Sequence, residues 1–325
     1  MERDVNGDLR VFSGSTHQTF ARTICDLLQI PLATSELVRF ANGNLMPQIG
    51  ESVRDCDVFV IQTQSANANL VSDALMELFL FVDALKRASA KRITAVMPYF
   101  SYSRSDKKDR PRIPIGGKLI AQLLKASGVD RLLVMDLHSD QVQGFFDFPV
   151  DQLEASPIIV SALKKRDLDN HVLVAADAGH AKRMKRYRSL KLPVAIIEKD
   201  RIGDTDTVEA ATLIGDVRGK NCILMDDEIA TAGTVGTDAL FLYENGALSV
   251  RVAATHAVFC GKVMEHLAHS SISGVMVTDT IPVDEKIAIG SLQSKIEVLS
   301  VTPLFAEAIR RIHDGRSVSE LFHSK

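Results

Sequence analysis

Two adjacent carboxylates at the end of an apolar run, with small residues and hydroxyls behind them, form the most informative pattern in the chain. Cys222, Ile223, Leu224 and Met225 make the run, and Asp226, Asp227 and Glu228 follow it. Ala230, Thr231, Ala232, Gly233 and Thr234 then lead into a helix expected to reach about Asn245. Small side chains let successive backbone N–H groups converge on one anion, and a helix N-terminus adds partial positive charge. A monophosphate suits that cradle. Asp226 and Asp227 would repel the phosphate and instead suit the hydroxyls of a vicinal diol a few ångströms away. A sugar phosphate satisfies both halves. The competing reading, an acidic turn capped by Thr231 or Thr234, leaves two consecutive carboxylates at the end of a buried strand unexplained.

Other apolar runs also end in polar, Gly- or Ser-containing segments: Ser13-Gly14-Ser15-Thr16-His17, Asp136-Leu137-His138-Ser139 and Asp177-Ala178-Gly179-His180. Ligands in open α/β sheets sit at the carboxyl ends of the strands, so chemistry is expected there. Glu198-Lys199-Asp200-Arg201 leaves another run and enters a polar stretch over 202–211. Residues 104–112 carry five basic and two acidic side chains, and residues 182–188 are more basic still; both suit solvated surfaces.

The elements that hold these segments follow from periodicity. Short β-branched runs alternate with helix-period stretches, the signature of parallel sheets with crossover helices, which makes the fold class α/β. Strands are expected over 9–12, 57–62, 92–97, 131–136, 172–176, 194–197, 222–225, 251–254, 274–278 and 296–299, with helices such as 69–89 and 117–127. At 325 residues the chain has the length of about two domains, and two α/β domains fit better than one sheet of ten strands. The boundary is placed near residue 150, in the least element-like stretch, giving domains 1–149 and 150–325.

With 46% hydrophobic and 24% charged residues the composition is that of a folded globular protein. A net charge of −3 gives no global field for nucleic acid or an anionic membrane, so anion binding has to be local. The scattered cysteines Cys25, Cys56, Cys222 and Cys260, with no CxxC pair among them, fit a reducing compartment and argue against a zinc site. The start is charged with no apolar stretch behind it, and no run is long enough to span a bilayer, so a cytoplasmic protein is expected.

The segment from Asp226 to Thr234 resembles the phosphoribosyl-diphosphate-binding motif of type I phosphoribosyltransferases. Further stretches narrow the likeness: Phe12 to His17, Asp106 to Arg110, Met135 to His138 continuing to Gln143-Gly144-Phe145-Phe146-Asp147, Asp177-Ala178-Gly179, and Gly315 to Ser319. Together they resemble the ribose-phosphate pyrophosphokinase family, in order, from Val11 to Phe322. The resemblance implies two consecutive phosphoribosyltransferase-like domains, each a mainly parallel sheet flanked by helices. It implies transfer of the diphosphoryl group of ATP to the C1 hydroxyl of ribose 5-phosphate, giving 5-phosphoribosyl 1-diphosphate and AMP. Such transfers depend on positioning and charge neutralisation. By the same likeness His138 and Asp177 hold Mg2+, and Lys199 and Arg201 act from a lid over 202–211. ATP meets Phe40, Asn42, Asn44, Arg104 and Ser105. Ribose 5-phosphate meets Arg201, Asp226, Asp227 and the loop Ala230, Thr231, Ala232, Gly233 and Thr234. Gln143, Asp147, Ser317 and Ser319 match a subunit-interface anion site, which implies a homohexamer with phosphate and ADP as effectors.

Four residues depart from that pattern: Asn44 for an acid, Ser105 for Gln, His180 for Gly and Ala230 for Asp. These substitutions keep two alternatives open. One is a non-catalytic regulatory subunit, against which Lys199, Arg201, His138 and Asp226 are all present. The other is a phosphoribosyltransferase, against which two full halves exceed its needs and no base hood is evident.

Overall fold

The computed structural model describes residues 7–64, 71–201, 208–283, 292 and 294–321. The chain divides into two units: residues 1–154, 280–282 and 301–325 form unit 1, and residues 155–279 and 283–300 form unit 2.

Unit 1 carries β1 (Leu9–Ser13), α1 (Gln18–Leu28), a hairpin of β2 (Ser35–Arg39) and β3 (Leu45–Ile49), β4 (Asp57–Ile61), α2 (Val71–Arg87), β5 (Arg92–Met97), α3 (Gly116–Ser127), β6 (Arg131–Met135) and β7 (Val150–Leu153). Its main sheet runs β1-β4-β5-β6-β7, parallel throughout. A parallel sheet covered on both faces needs near-continuous apolar strands, and every residue of β4 is buried. Phe12, Val58, Val60, Ile93 and Leu132 form its core with Leu78, Val82 and Leu85 of α2. Gly128 ends α3 at φ +108, the left-handed cap that favours glycine.

Three features of unit 1 differ from the sequence expectation. The hairpin was not anticipated: Pro47 lies within β3, and proline demotes a run to an edge position. The stretch read as least element-like, 148–151, runs into β7, four residues with only Leu153 fully buried. The C-terminal helix Thr302–His313 also packs in unit 1, whereas the expectation grouped it with 150–279. Phe305 meets Phe20 edge-on at 5.4 Å. His313 Nδ1 lies 2.9 Å from Asp57 Oδ2, and Arg92 donates to both oxygens of the same fully buried carboxylate.

Unit 2 carries α4 (Ser156–Leu163), β8 (His171–Ala175), α5 (Ala178–Ala181), β9 (Val194–Arg201), β10 (Val208–Ile214), β11 (Asn221–Ile229), α6 (Gly233–Glu244), β12 (Ser249–Ala257), the helix Val263–His269, β13 (Gly274–Thr278) and β14 (Ile296–Leu299). The sheet order is β10-β9-β8-β11-β12-β13-β14. All pairs are parallel except β9 with β10. Residues 208–211, expected as part of a loop, are thus strand, with Lys199 paired to Ala211; residues 202–207 lie outside the described residues. Strand β11 runs four residues beyond the expected end at 225, which places Asp226 and Asp227 on the sheet itself.

Candidate functional site

In unit 2 the acidic pair sits where β11 leaves the core. Asp227 is buried and Asp226 nearly so, with side-chain exposures of 2% and 12%. Beyond Ile229 the chain turns through Ala232, held at φ +60, and enters α6 at Gly233. The turn is fixed from outside. Cys260 N–H donates to Ala230 O at 3.0 Å, and His266 Nδ1 lies 2.6 Å from Thr231 O. Thr231 and Thr234 stay exposed, so the N-terminus of α6 opens to solvent, with Gly233 N–H reaching Thr231 Oγ1 only at 3.5 Å. The structure therefore brings together all seven of Asp226, Asp227, Ala230, Thr231, Ala232, Gly233 and Thr234 at one strand-to-helix junction.

Against that junction lies a residue that the sequence marked only as a departure. Asp177 caps α5, accepting from His180 N–H at 2.7 Å. This turns the imidazole so that Nδ1 is 3.2 Å from Asp177 Oδ1, while Nε2 is 3.3 Å from Asp226 Oδ1 and 3.4 Å from Asp227 Oδ1. Burial opposes charge on the ring, but the carboxylates of Asp177, Asp227 and Asp226 outweigh it and push His180 up to about 10. The hydrogen bond from His180 holds Asp177 well below the usual carboxylate range. Burial, with Asp227 beside it, pushes Asp226 up to about 7. Asp177 is also half-exposed, so it presents an ionised oxygen donor of the kind a hard cation takes.

Lys199, on β9, points into the sheet's cover rather than to solvent. Its Nζ lies 2.6 Å from Asp238 Oδ1 and 2.8 Å from Oδ2, and both side chains are largely buried. Burial raises the Asp238 carboxyl, opposed by Lys199. Asp238 follows Thr234 by one turn of α6, so the helix that presents the anion cradle also anchors the lysine. Sequence reasoning missed Asp238. The available signal was its position on the apolar stripe of Val235, Ala239 and Leu242, where a carboxylate needs a partner. Arg201 ends β9, and its side chain lies outside the described residues.

In unit 1 the nucleotide candidates occupy two places. Phe40, Asn42 and Asn44 form the turn of the β2–β3 hairpin. Phe40 N–H donates to Asn44 O, Asn44 N–H donates to Asn42 Oδ1, and the Phe40 ring is 46% exposed. Ser105 instead serves the scaffold: its Oγ accepts from Gly116 N–H at 2.8 Å and its carbonyl accepts from Gly117 N–H at 3.0 Å, satisfying the first turn of α3. Arg104 beside it is exposed. His138 follows β6, half-buried. Of the anion-site candidates, Gln143 donates to Gln152 at 3.0 Å and Asp147 is exposed. Ser317 and Ser319 share a hydrogen bond of 2.8 Å, and Arg311 donates to the Ser317 carbonyl.

Comparison with known proteins gives a consistent picture. Residues 9–128 match the N-terminal domain of ribose phosphate pyrophosphokinase, and residues 207–323 match the phosphoribosyl synthetase-associated domain. The ribose-phosphate pyrophosphokinase of Deinococcus radiodurans is 46% identical over 97% of this chain and 98% of its own length. That of Campylobacter jejuni is 44% identical over 96% and 98%. The crystal structure of phosphoribosylpyrophosphate synthetase from Mycobacterium smegmatis superposes with a TM-score of 0.87 at 38% identity, covering 95% of this chain and 99% of that one.

Proposed function

The chain belongs to the ribose-phosphate pyrophosphokinase family, and on that premise we propose that it transfers the β,γ-diphosphoryl group of ATP to the C1 hydroxyl of ribose 5-phosphate. The observation that carries the reading is the run from Asp226 to Thr234, where two strand-borne carboxylates stand beside an open helix N-terminus. The helix N–H groups bind the 5-phosphate, and Asp226 and Asp227 accept from the ribose hydroxyls. Asp226, pushed up to about 7, takes hydrogen bonds from the sugar with less desolvation cost than a fully ionised pair. Lys199 neutralises the migrating diphosphoryl group, held ready by Asp238. Arg201 adds a second charge.

Phe40 stacks on adenine, Asn42 and Asn44 frame it, and Arg104 pairs with phosphate oxygens. Ser105 contributes its position, since its hydroxyl is engaged at α3. Asp177, ionised and half-exposed, fits Mg2+ and together with His138 would hold it. When bound, Mg2+ supplies charge neutralisation for the phosphates. The reading extends to a cytoplasmic homohexamer that feeds nucleotide biosynthesis and binds phosphate or ADP at Gln143, Asp147, Ser317 and Ser319. Among the described residues no helix is long and apolar enough to cross a membrane.

A second reading, a non-catalytic subunit of the synthetase, is favoured by one observation: the His180 ring lies on the two carboxylates that the sugar would use. One assay separates them. Purified protein with Mg2+, ATP and ribose 5-phosphate yields AMP in equal amount to phosphoribosyl diphosphate; no AMP above a Lys199→Ala control would leave only the second reading.

A further inference from the structure

Among the described residues, His180 is the one position where a ring nitrogen, on a residue only 9% exposed, is buried with no hydrogen-bond partner: its Nε2 atom. That atom faces Asp226 Oδ1 at 3.3 Å and Asp227 Oδ1 at 3.4 Å without hydrogen-bond alignment. These spacings also fit a bound ion. A tetrahedral ion with bonds of about 2.0–2.1 Å sets its donor atoms about 3.3–3.4 Å apart. Donor atoms of the three residues lie within 4.8 Å of one another. The opposite ring nitrogen, Nδ1, lies 3.2 Å from Asp177 Oδ1, the carboxylate–histidine arrangement that fixes the tautomer and orientation of metal-bound imidazoles.

We propose that His180, Asp226 and Asp227 form a binding site for a borderline divalent transition-metal ion, Zn2+ or Co2+ in class, with Asp177 orienting the imidazole and one coordination position left open. Magnesium prefers oxygen donors in an octahedron, whereas an imidazole with two carboxylates suits zinc and cobalt. The site is thus chemically distinct from the Mg2+ position proposed for His138 and Asp177. It rests on the geometry of unit 2 and not on the transfer reaction. If both hold, the open position is where a sugar hydroxyl coordinates, which also reconciles the ring's place on the two carboxylates with substrate binding.

The test uses full-length, tag-free protein titrated with Co2+, whose visible absorption intensifies in tetrahedral nitrogen and oxygen sites. The expected result is one such ion per chain, retained in excess Mg2+, lost in His180→Ala and weakened about 10–100-fold in Asp177→Asn. It should persist in His138→Ala. Zinc-loaded protein should give X-ray absorption distances of about 2.0–2.1 Å to one nitrogen and two carboxylate oxygens. Circular dichroism of His180→Ala and His180→Gln checks that loss of the ion is not loss of the fold. Three outcomes overturn the proposal: no intense band, which means that no tetrahedral ion is held there; equal competition by Mg2+; or a band that survives in His180→Ala and disappears in His138→Ala. AMP formation with Mg2+ is measured separately, so failure of the site and failure of the reaction give different results.

Discussion

Lys199 and Asp238 form a buried ion pair inside what we read as catalytic machinery, and stability and activity should come apart when it is edited. Breaking a buried pair by removing one partner costs about 3–5 kcal/mol, while replacing both by apolar groups is often neutral or stabilising. With about 2–4 °C per kcal/mol for a unit of this size, Lys199→Met or Asp238→Leu alone should lower the calorimetric midpoint of unit 2 by about 6–20 °C. The double variant should recover most of that and still make no phosphoribosyl diphosphate. The single variants also differ in pH response. Burial already raises Asp238, and Lys199 is the group that opposes the rise, so Lys199→Met raises it further. A carboxyl raised in the folded state binds more protons folded than unfolded between the two values, so stability falls as pH rises through that window. Lys199→Met should therefore be least stable toward neutral pH and partly rescued by acid, at about 1.4 kcal/mol per unit of displacement. The reasoning is refuted if the double variant loses the sum of the two single losses, because the side chains would then have no coupling.

Three further outcomes follow from unit 1 and from the thiols. Asp57→Ala strands Arg92 and His313 at a fully buried site, so it should destabilise unit 1 by about 3–5 kcal/mol and expose the helix Thr302–His313 to limited proteolysis; an unchanged digestion pattern counts against that anchor. Phe40→Ala should raise KM for ATP at least about 5-fold, since base–aromatic stacking is worth about 1–3 kcal/mol, and steady-state kinetics with an unchanged KM would remove Phe40 from the adenine site. Burial pushes Cys25 up to about 12 and Cys222 up to about 11, leaving roughly 0.1% thiolate or less at pH 8. Half-exposed Cys260 should alkylate first in native protein, and mass spectrometry showing Cys25 or Cys222 labelled equally fast would contradict their burial.

What the sequence revealed and what it hid have a common physical basis. Runs such as Asp57–Ile61, Arg92–Met97 and Asn221–Ile229 are legible because parallel strands covered on both faces are nearly all apolar. Asp226 and Asp227 are legible because charge at the end of such a run needs a reason. The hairpin strands and Val208–Ile214 are not, because their pattern is interrupted by Pro47 or preceded by polar residues. Buried charges are harder still. Asp57 depends on His313, 256 positions away, and Asp238 on Lys199, 39 positions away; periodicity carries no information about partners so remote. His180 was visible only as a substitution, while its three carboxylate neighbours come from β11 and the turn after β8.

The discontinuity of unit 1 has a consequence for how the chain is made. Its first 154 residues leave the ribosome long before residues 301–325 that complete it. At ordinary elongation rates of about 5–20 residues per second, the intervening stretch takes about 7–30 s. During that interval Phe20 lacks Phe305 and Asp57 lacks His313, so the nascent first half carries an uncovered apolar helix face and an incompletely neutralised carboxylate. Unit 2 is contiguous apart from one short excursion and has its whole sheet by residue 299. The later-made half is therefore positioned to finish folding first, and the arrival of residues 301–325 becomes the event that closes the earlier one.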